Sequence, residues 1–208
     1  MMDTVLSNIR WLGHDSFFLR MGGKSIVFDP FGAKETMTAD IILVSHDHFD
    51  HCSPDDLKKF QGPETVVITE PQSAAKLSGD VRVMKPGETL RLNGISITAV
   101  PAYNMNKAFH PKSNQWLGFV VEADGVTLYH AGDTDLIPEM SDIRADIALL
   151  PVSGTYVMTW QEAVEAAKRI KPKVAIPMHY GAIVGSEEDA KSFARALSGV
   201  CEVKVLSS

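Results

Sequence analysis

Six consecutive residues, His46-Asp47-His48-Phe49-Asp50-His51, place four side chains able to bind a metal ion in one short segment. His46 and His48 stand two residues apart, so in extended backbone their imidazoles project to the same side and can grip a single ion. Asp50 and His51 follow after a bend. Neighbours so placed cannot easily serve that same ion and suit a second one close by. Two ions in that relation share a bridging water, which is the logic of a dinuclear hydrolytic site.

The segment needs a rigid support, and the residues before it supply one. Ile41-Ile42-Leu43-Val44 is a short apolar run rich in β-branched residues, the pattern of a strand covered on both faces, and it delivers the chain to Ser45-His46. Beyond the cluster, Ser53 can cap a helix with Pro54 in its first turn and Asp55 and Asp56 at the positive end of its dipole, running to about Phe60. Two more expected strands end at potential ligands: 126–130 runs into His130-Ala131-Gly132-Asp133, and 174–177 into Met178-His179. Strand ends fix position while the loops beyond them carry polar groups, so the three endings can converge on one pocket.

The other elements alternate. Residues 5–12, 16–21 and 25–28 read as strands, the last two joined at Gly22-Gly23; 65–69 and 81–84 read as strands around a short helix at 71–77. Asn93-Gly94 and Asp124-Gly125 mark two hairpins, 90–92 with 95–100 and 117–122 with 126–130, separated by a polar loop at 104–115. Residues 147–150 form a further buried strand. Thr159 with Glu162 forms a capping box for a helix reaching about Lys171, and Ser186 to Leu197 forms the last helix, before a strand at 202–206. Both halves share one plan, hairpins followed by helix–strand alternation. The expected fold is therefore α/β in the broad (α+β) sense, two mixed sheets flanked by helices, across 1–208 as one domain.

Composition narrows the chemistry by exclusion. Apolar residues make up 45% and charged residues 22% of 208, values of an ordinary globular protein. A net charge of −6 argues against an extended basic surface, so neither nucleic acid nor anionic membrane is the expected partner, and a small molecule is. Cys52 and Cys201 are far apart and lack CxxC spacing, which fits two free thiols in a reducing cytoplasm; Cys52 is expected to pack rather than to react. No stretch has the length of uninterrupted apolar residues that spans a bilayer.

The motifs His46-x-His48-x-Asp50-His51, Gly132-Asp133-Thr134 and Met178-His179-Tyr180 resemble the metallo-β-lactamase fold. Trp11-Leu12-Gly13-His14, Phe28-Asp29-Pro30 and Tyr129-His130-Ala131-Gly132-Asp133-Thr134 are most similar to its compact metal-dependent hydrolases related to ascorbate-phosphate lactonases. The resemblance spans nearly the whole chain and implies a four-layer αββα sandwich. It also implies a ligand set: His46, His48 and a later histidine on the first ion, Asp50, His51 and His179 on the second, and Asp133 between them. The family's later histidine follows closely on the strand that here ends Pro101-Ala102-Tyr103-Asn104, where this chain has none. His110, which precedes Gly118, is either that ligand or a histidine of a surface loop.

Other residues carry two readings each. Gly132-Asp133-Thr134 is also an ordinary turn, whereas His179 follows Pro177-Met178, a buried strand that needs no histidine. His130 is expected to be a hydrogen-bonded neighbour rather than a ligand, and Asp29 can orient a ligating imidazole. His14 binds substrate or merely occupies a turn. Lys107 and Lys112 contact a phosphate or face water. Imidazole and carboxylate donors without thiolate suit two divalent ions, zinc first, with Mn2+ or Fe2+ open. Histidine at position 48, where oxygen-reducing di-iron relatives of the fold usually place a carboxylate, points to hydrolysis. The expected reaction is attack of a metal-bridging hydroxide on a small ester, lactone or amide, with Asp50 and Asp133 orienting the nucleophile. The alternatives are a phosphodiesterase acting on a small or lipid phosphodiester, and a metal-binding or regulatory module without catalysis.

Overall fold

The computed structural model describes residues 1–207, so Ser208 of the expected domain span lies outside the described residues. Six strands form the first sheet in sequence order: β1 (Arg10–Gly13), β2 (Ser16–Met21), β3 (Lys24–Phe28), β4 (Ala39–Leu43), β5 (Gln61–Thr69) and β6 (Asp80–Val83). β1 to β3 are antiparallel and β3 to β6 parallel. The second sheet has seven strands: β7 (Thr89–Leu92), β8 (Ile95–Pro101), β9 (Leu117–Ala123), β10 (Val126–His130), β11 (Ile147–Pro151), β12 (Val174–Met178) and β13 (Glu202–Val203), again in sequence order. β7 to β10 are antiparallel and β10 to β13 parallel, which repeats the plan of the first sheet. At both expected hairpin turns the two central residues have positive φ: Asn93 (48°) with Gly94 (86°), and Asp124 (53°) with Gly125 (69°). That conformation matches the right-handed twist of the flanking strands.

Alternation along the strands makes the layers. Phe17, Leu19, Ile26, Phe28, Ile41 and Leu43 point into the main core, where they join Phe119, Val121 and Leu128 of the second sheet. Their neighbours Phe18, Val27, Ile42 and Val67 face the other way, into a separate cluster closed by Leu57 and Phe60. Leu57 belongs to α2 (Pro54–Lys58), which Ser53 caps through the Asp56 amide as expected. Over the second sheet lie α4 (Trp160–Ile170), against β11, and α5 (Glu187–Ala196), against β12; α3 (Pro71–Ala74) is a single turn beside β6. The order is helix, sheet, sheet, helix, the αββα sandwich the resemblance implies.

Besides β5, which begins at Gln61 rather than at 65, and α3, which stops at Ala74 rather than at 77, two stretches near the ends differ from expectation. Residues 5–8 belong to α1 (Met2–Asn8), not to a strand, because Met2, Val5, Leu6 and Ile9 recur at helical spacing and pack together on the main core. At the other end, strand pairing stops at Val203, although the Lys204 amide still bonds the Ala175 carbonyl (3.0 Å). No helix among the described residues is long and apolar enough to cross a membrane.

The capping box of α4 is complete, with Glu162 N–H donating to Thr159 Oγ1 (3.2 Å) and Thr159 N–H to Glu162 Oε2 (2.8 Å). Since α4 covers the second sheet, Thr159→Ala should lower unfolding stability by about 1 kcal/mol, measured as a reduced urea midpoint with an unchanged slope.

Candidate metal centre

The ends of β4, β10 and β12 and the loop after β8 meet along one edge of the sandwich. From β4 the chain turns into His46, His48, Asp50 and His51; Asp133 follows β10, His179 follows β12, and His110 comes from the loop. Two donor sets result, with the ligand atoms of each within 4.8 Å of one another: His46, His48 and His110 in one, Asp50, His51, His179 and His14 in the other. His46 Nε2 lies 3.0 Å from His48 Nδ1. Asp133 stands between the sets. Its Oδ2 is 3.1 Å from His110 Nε2, 3.3 Å from His179 Nε2 and 3.9 Å from His46 Nε2, and its Oδ1 is 3.4 Å from His51 Nε2. All the expected ligands are thus brought together, and His110 is buried among them rather than free on the surface.

Hydrogen bonds orient each ring from behind. The Ser45 hydroxyl donates to Asp29 Oδ2 (2.6 Å), which leaves its oxygen to accept from His46 Nδ1 (2.9 Å). His51 Nδ1 donates to the same Asp29 oxygen (2.8 Å), as the sequence suggested for Asp29. His110 Nδ1 faces only acceptors, Asn104 Oδ1 (3.1 Å) and the Tyr156 carbonyl (3.2 Å). Ser153 donates to the Thr155 carbonyl and accepts from His179 Nδ1 (2.8 Å). In all four rings Nδ1 therefore carries the hydrogen, and in the neutral ring the lone pair is on Nε2, aimed at Asp133.

That arrangement tests whether an ion fits. His51 Nε2, His110 Nε2, His179 Nε2 and Asp133 Oδ1 are buried without a hydrogen-bond partner. Lone pairs facing a carboxylate at these distances repel one another unless a proton or a metal ion lies between them. Protons on every ring would be mutually repulsive: burial and the neighbouring His51 hold His46 well below the ordinary imidazole range, and burial with His110 lowers His48, whereas against the effect of burial Asp133 and Asp29 raise His51 well above it. Burial pushes the Asp133 carboxyl up, but His179, His51 and His110 together hold it well below the usual carboxylate range. An ionised carboxylate ringed by nitrogen lone pairs is a donor set for divalent ions such as zinc.

Backbone geometry enforces the placement. Gly132 has φ 60°, and a Cβ there would lie 2.7 Å from the Leu117 carbonyl oxygen, so only glycine lets the chain turn tightly into Asp133. His14 and His179 also adopt left-handed φ (52° and 60°), uncommon for non-glycine residues and often found at functional sites. They are tied to each other: the His179 amide donates to the His14 carbonyl (3.2 Å) and their rings lie 4.2 Å apart. His14 Nε2 is 3.1 Å from Asp50 Oδ2, which puts the histidine inside the second donor set and in the turn at once.

Several supporting groups escaped the sequence reading. Ser45, Asn104, Ser153 and Tyr156 act through hydrogen bonds that join residues far apart in the chain. Asp15 is fully buried, and neither of its oxygens has a partner; burial and Asp133 push its carboxyl well above the usual range. Only its position, an acid directly before the apolar run of β2, hinted at it. Trp116 walls the first set, 4.8 Å from the His46 and His48 rings. His130 donates from Nε2 to the Asp15 carbonyl (2.9 Å) and stacks on Phe28, outside the donor sets, as expected. Cys52 packs in the outer core cluster, and burial pushes its thiol up. Lys107 is paired with Asp135, and Lys112 with Glu139 (2.8 Å) and the Tyr103 hydroxyl (3.1 Å).

A two-sheet sandwich whose strand ends gather histidines around one central aspartate defines the class of metallo-β-lactamase-like metal sites. A family model described as a β-lactamase superfamily domain matches residues 8–179. The UPF0173 metal-dependent hydrolase of Archaeoglobus fulgidus is 34% identical, over 91% of this chain and 90% of the relative. The crystal structure of a candidate metal-dependent hydrolase from Parabacteroides distasonis is similar with a TM-score of 0.86 at 34% identity, over 96% of this chain and 93% of that one. A metallo hydrolase of the archaeon Ignicoccus hospitalis gives 0.81 at 25% identity, over 96% and 94%. The chain belongs to the metallo-β-lactamase superfamily.

Asn104 locks His110 from both sides, its Oδ1 facing the His110 amide (3.0 Å) and ring, and its Nδ2 donating to the Tyr156 carbonyl (2.7 Å). Asn104→Ala should weaken the tightest-bound divalent ion or its partner by about 10- to 100-fold, the usual cost of losing such an orienting group. Competition with a chromophoric chelator measures it.

Proposed function

We propose that this protein is a metal-dependent hydrolase that binds two divalent ions, zinc foremost, and cleaves a small ester, lactone or amide. The observation that carries this reading is the Asp133 carboxylate between two donor sets, in which the buried Nε2 atoms of His51, His110 and His179 have no hydrogen-bond partner. Two bound ions supply a water of lowered pKa and polarisation of the scissile bond. His46, His48 and His110 form the first set and Asp50, His51 and His179 the second, with Asp133 shared. His14 steadies Asp50 by hydrogen bonding. Names of relatives support the class of reaction, and the histidine at position 48 favours hydrolysis over redox chemistry.

The two aspartates have different duties. Asp133 is enclosed by imidazoles and buried, so it holds geometry and charge. Asp50 is the less buried of the two; burial pushes its carboxyl up, yet the His14 hydrogen bond and the neighbouring His51 hold it below the usual range. It stays ionised at neutral pH and can accept a proton from the attacking water and return it to the leaving group. The ligand-bearing loops offer no free cation for a phosphodiester, because Lys107 and Lys112 are both held in ion pairs. The substrate is therefore read as a carboxylic ester, lactone or amide in a water-filled compartment such as the cytoplasm.

Elemental analysis should find two equivalents of metal per chain, with p-nitrophenyl ester turnover that exceeds turnover of bis-p-nitrophenyl phosphate. His46→Ala and Asp133→Ala should each lower kcat/KM by at least about 100-fold, Asp133→Ala with loss of metal. Full metal content without turnover of any ester or amide would identify a binding module instead.

A further inference from the structure

The side chains next to the ligands are unusual for a surface. Phe49 stands between His48 and Asp50 and is 69% exposed, Phe109 directly precedes His110 and is 54% exposed, and Met105 follows Asn104 at 58%. Large apolar groups scattered singly need no explanation, but each of these directly adjoins a donor residue or its support in the chain. Phe49 meets Phe31 edge to face at 5.8 Å, and Phe31 lies 6.1 Å from the His14 ring. Phe109 meets Tyr156 at 4.5 Å, and the Tyr156 carbonyl is the one that fixes His110. One aromatic pair thus rises from loops of the first sheet and the other from loops of the second. His48, next to Phe49 in the chain, and His110, next to Phe109, have rings 5.0 Å apart.

Charge points the same way. The segments 45–52, 102–116, 131–136, 153–159 and 179–185, which carry ligands and their supports, contain only two cationic residues, Lys107 and Lys112. Both ammonium groups are already paired with carboxylates. A substrate held at this mouth gains from burying apolar surface, and these segments offer it no unpaired lysine or arginine.

We propose that the two aromatic pairs, Phe31 with Phe49 and Phe109 with Tyr156, form a seat for an uncharged substrate bearing an alkyl or aryl group, which they hold with its scissile carbonyl over the donor sets. This names the substrate class for the hydrolase reading above and rests on it. The pairs are specificity determinants. They leave the hydrolytic chemistry to the residues beneath them.

The test uses the zinc-loaded protein and alkyl hydroxamates of increasing length, which chelate metal without being hydrolysed, with affinity read by calorimetry. Octanohydroxamate should bind at least about tenfold tighter than acetohydroxamate, less than the roughly fourfold per methylene of full burial because the seat is open. Phe109→Ala should cut that advantage to about threefold or less, and Phe49→Ala should act in the same direction; Phe49, the more exposed of the two, is the variant less able to disturb folding. Equal affinity for short and long chains, or an advantage untouched by both variants, would overturn the seat. So would binding to neutral phosphatidylcholine vesicles that both variants abolish while chain length makes no difference, since the rim would then be a membrane contact. The two readings fail separately. Chain-length dependence without turnover of any ester removes the hydrolase reading and keeps the seat, whereas ester turnover indifferent to chain length does the reverse.

Discussion

The repulsion between a buried carboxylate and the nitrogen lone pairs around it is the constraint on which the rest of this structure turns. Asp133 faces His46, His51, His110 and His179 at 3.1 to 3.9 Å, and the hydrogen bonds behind those rings leave Nε2 free to point inward. Such a grouping costs several kcal/mol when it lacks a counter-charge. A bound cation would turn that cost into binding energy, provided the surrounding scaffold keeps the donors from relaxing away when none is bound.

The scaffold does so through rigid elements rather than through the loops themselves. β4, β10 and β12 lie inside their sheets, hydrogen-bonded on both sides, so His46, Asp133 and His179 start from fixed points. Gly132 permits a turn that a Cβ would block against the Leu117 carbonyl. Asp29, at the end of β3, binds the Ser45 amide (2.7 Å) and hydroxyl as well as His51, and so links two donor sets to one carboxylate. The loop that brings His110 is the least regular part of the centre, and it is closed on itself by Asn104, whose amide donates to the His110 carbonyl (2.7 Å).

The same architecture separates chemistry from selection. Histidines and aspartates sit deep at the strand ends, where burial strengthens their interaction with a cation. Aromatic residues next to them in sequence, Phe49 and Phe109, turn outward to solvent. Each of these two loops therefore carries donor side chains inward and an aromatic side chain outward.

Local patterns in the chain were enough to show most of this. Period-two apolar runs marked the strands, Asn93-Gly94 and Asp124-Gly125 marked the hairpins, and the spacing of His46, His48, Asp50 and His51 marked the metal centre, because each depends on residues close in sequence. The stretch at 5–8 was misread as a strand because its apolar residues are few, and their packing on the core decides for helix. Whether His110 reached the centre was undecidable from spacing, since the answer lies in hydrogen bonds to Asn104 and Tyr156 across a loop. The environment of Asp15, the place of His14 beside Asp50 and the capture of Lys107 and Lys112 by Asp135 and Glu139 likewise exist only after folding. Sequence by itself determined which side chains could bind a cation; tertiary structure decided which of them meet, because distance and burial between remote residues are properties of the packed sheets.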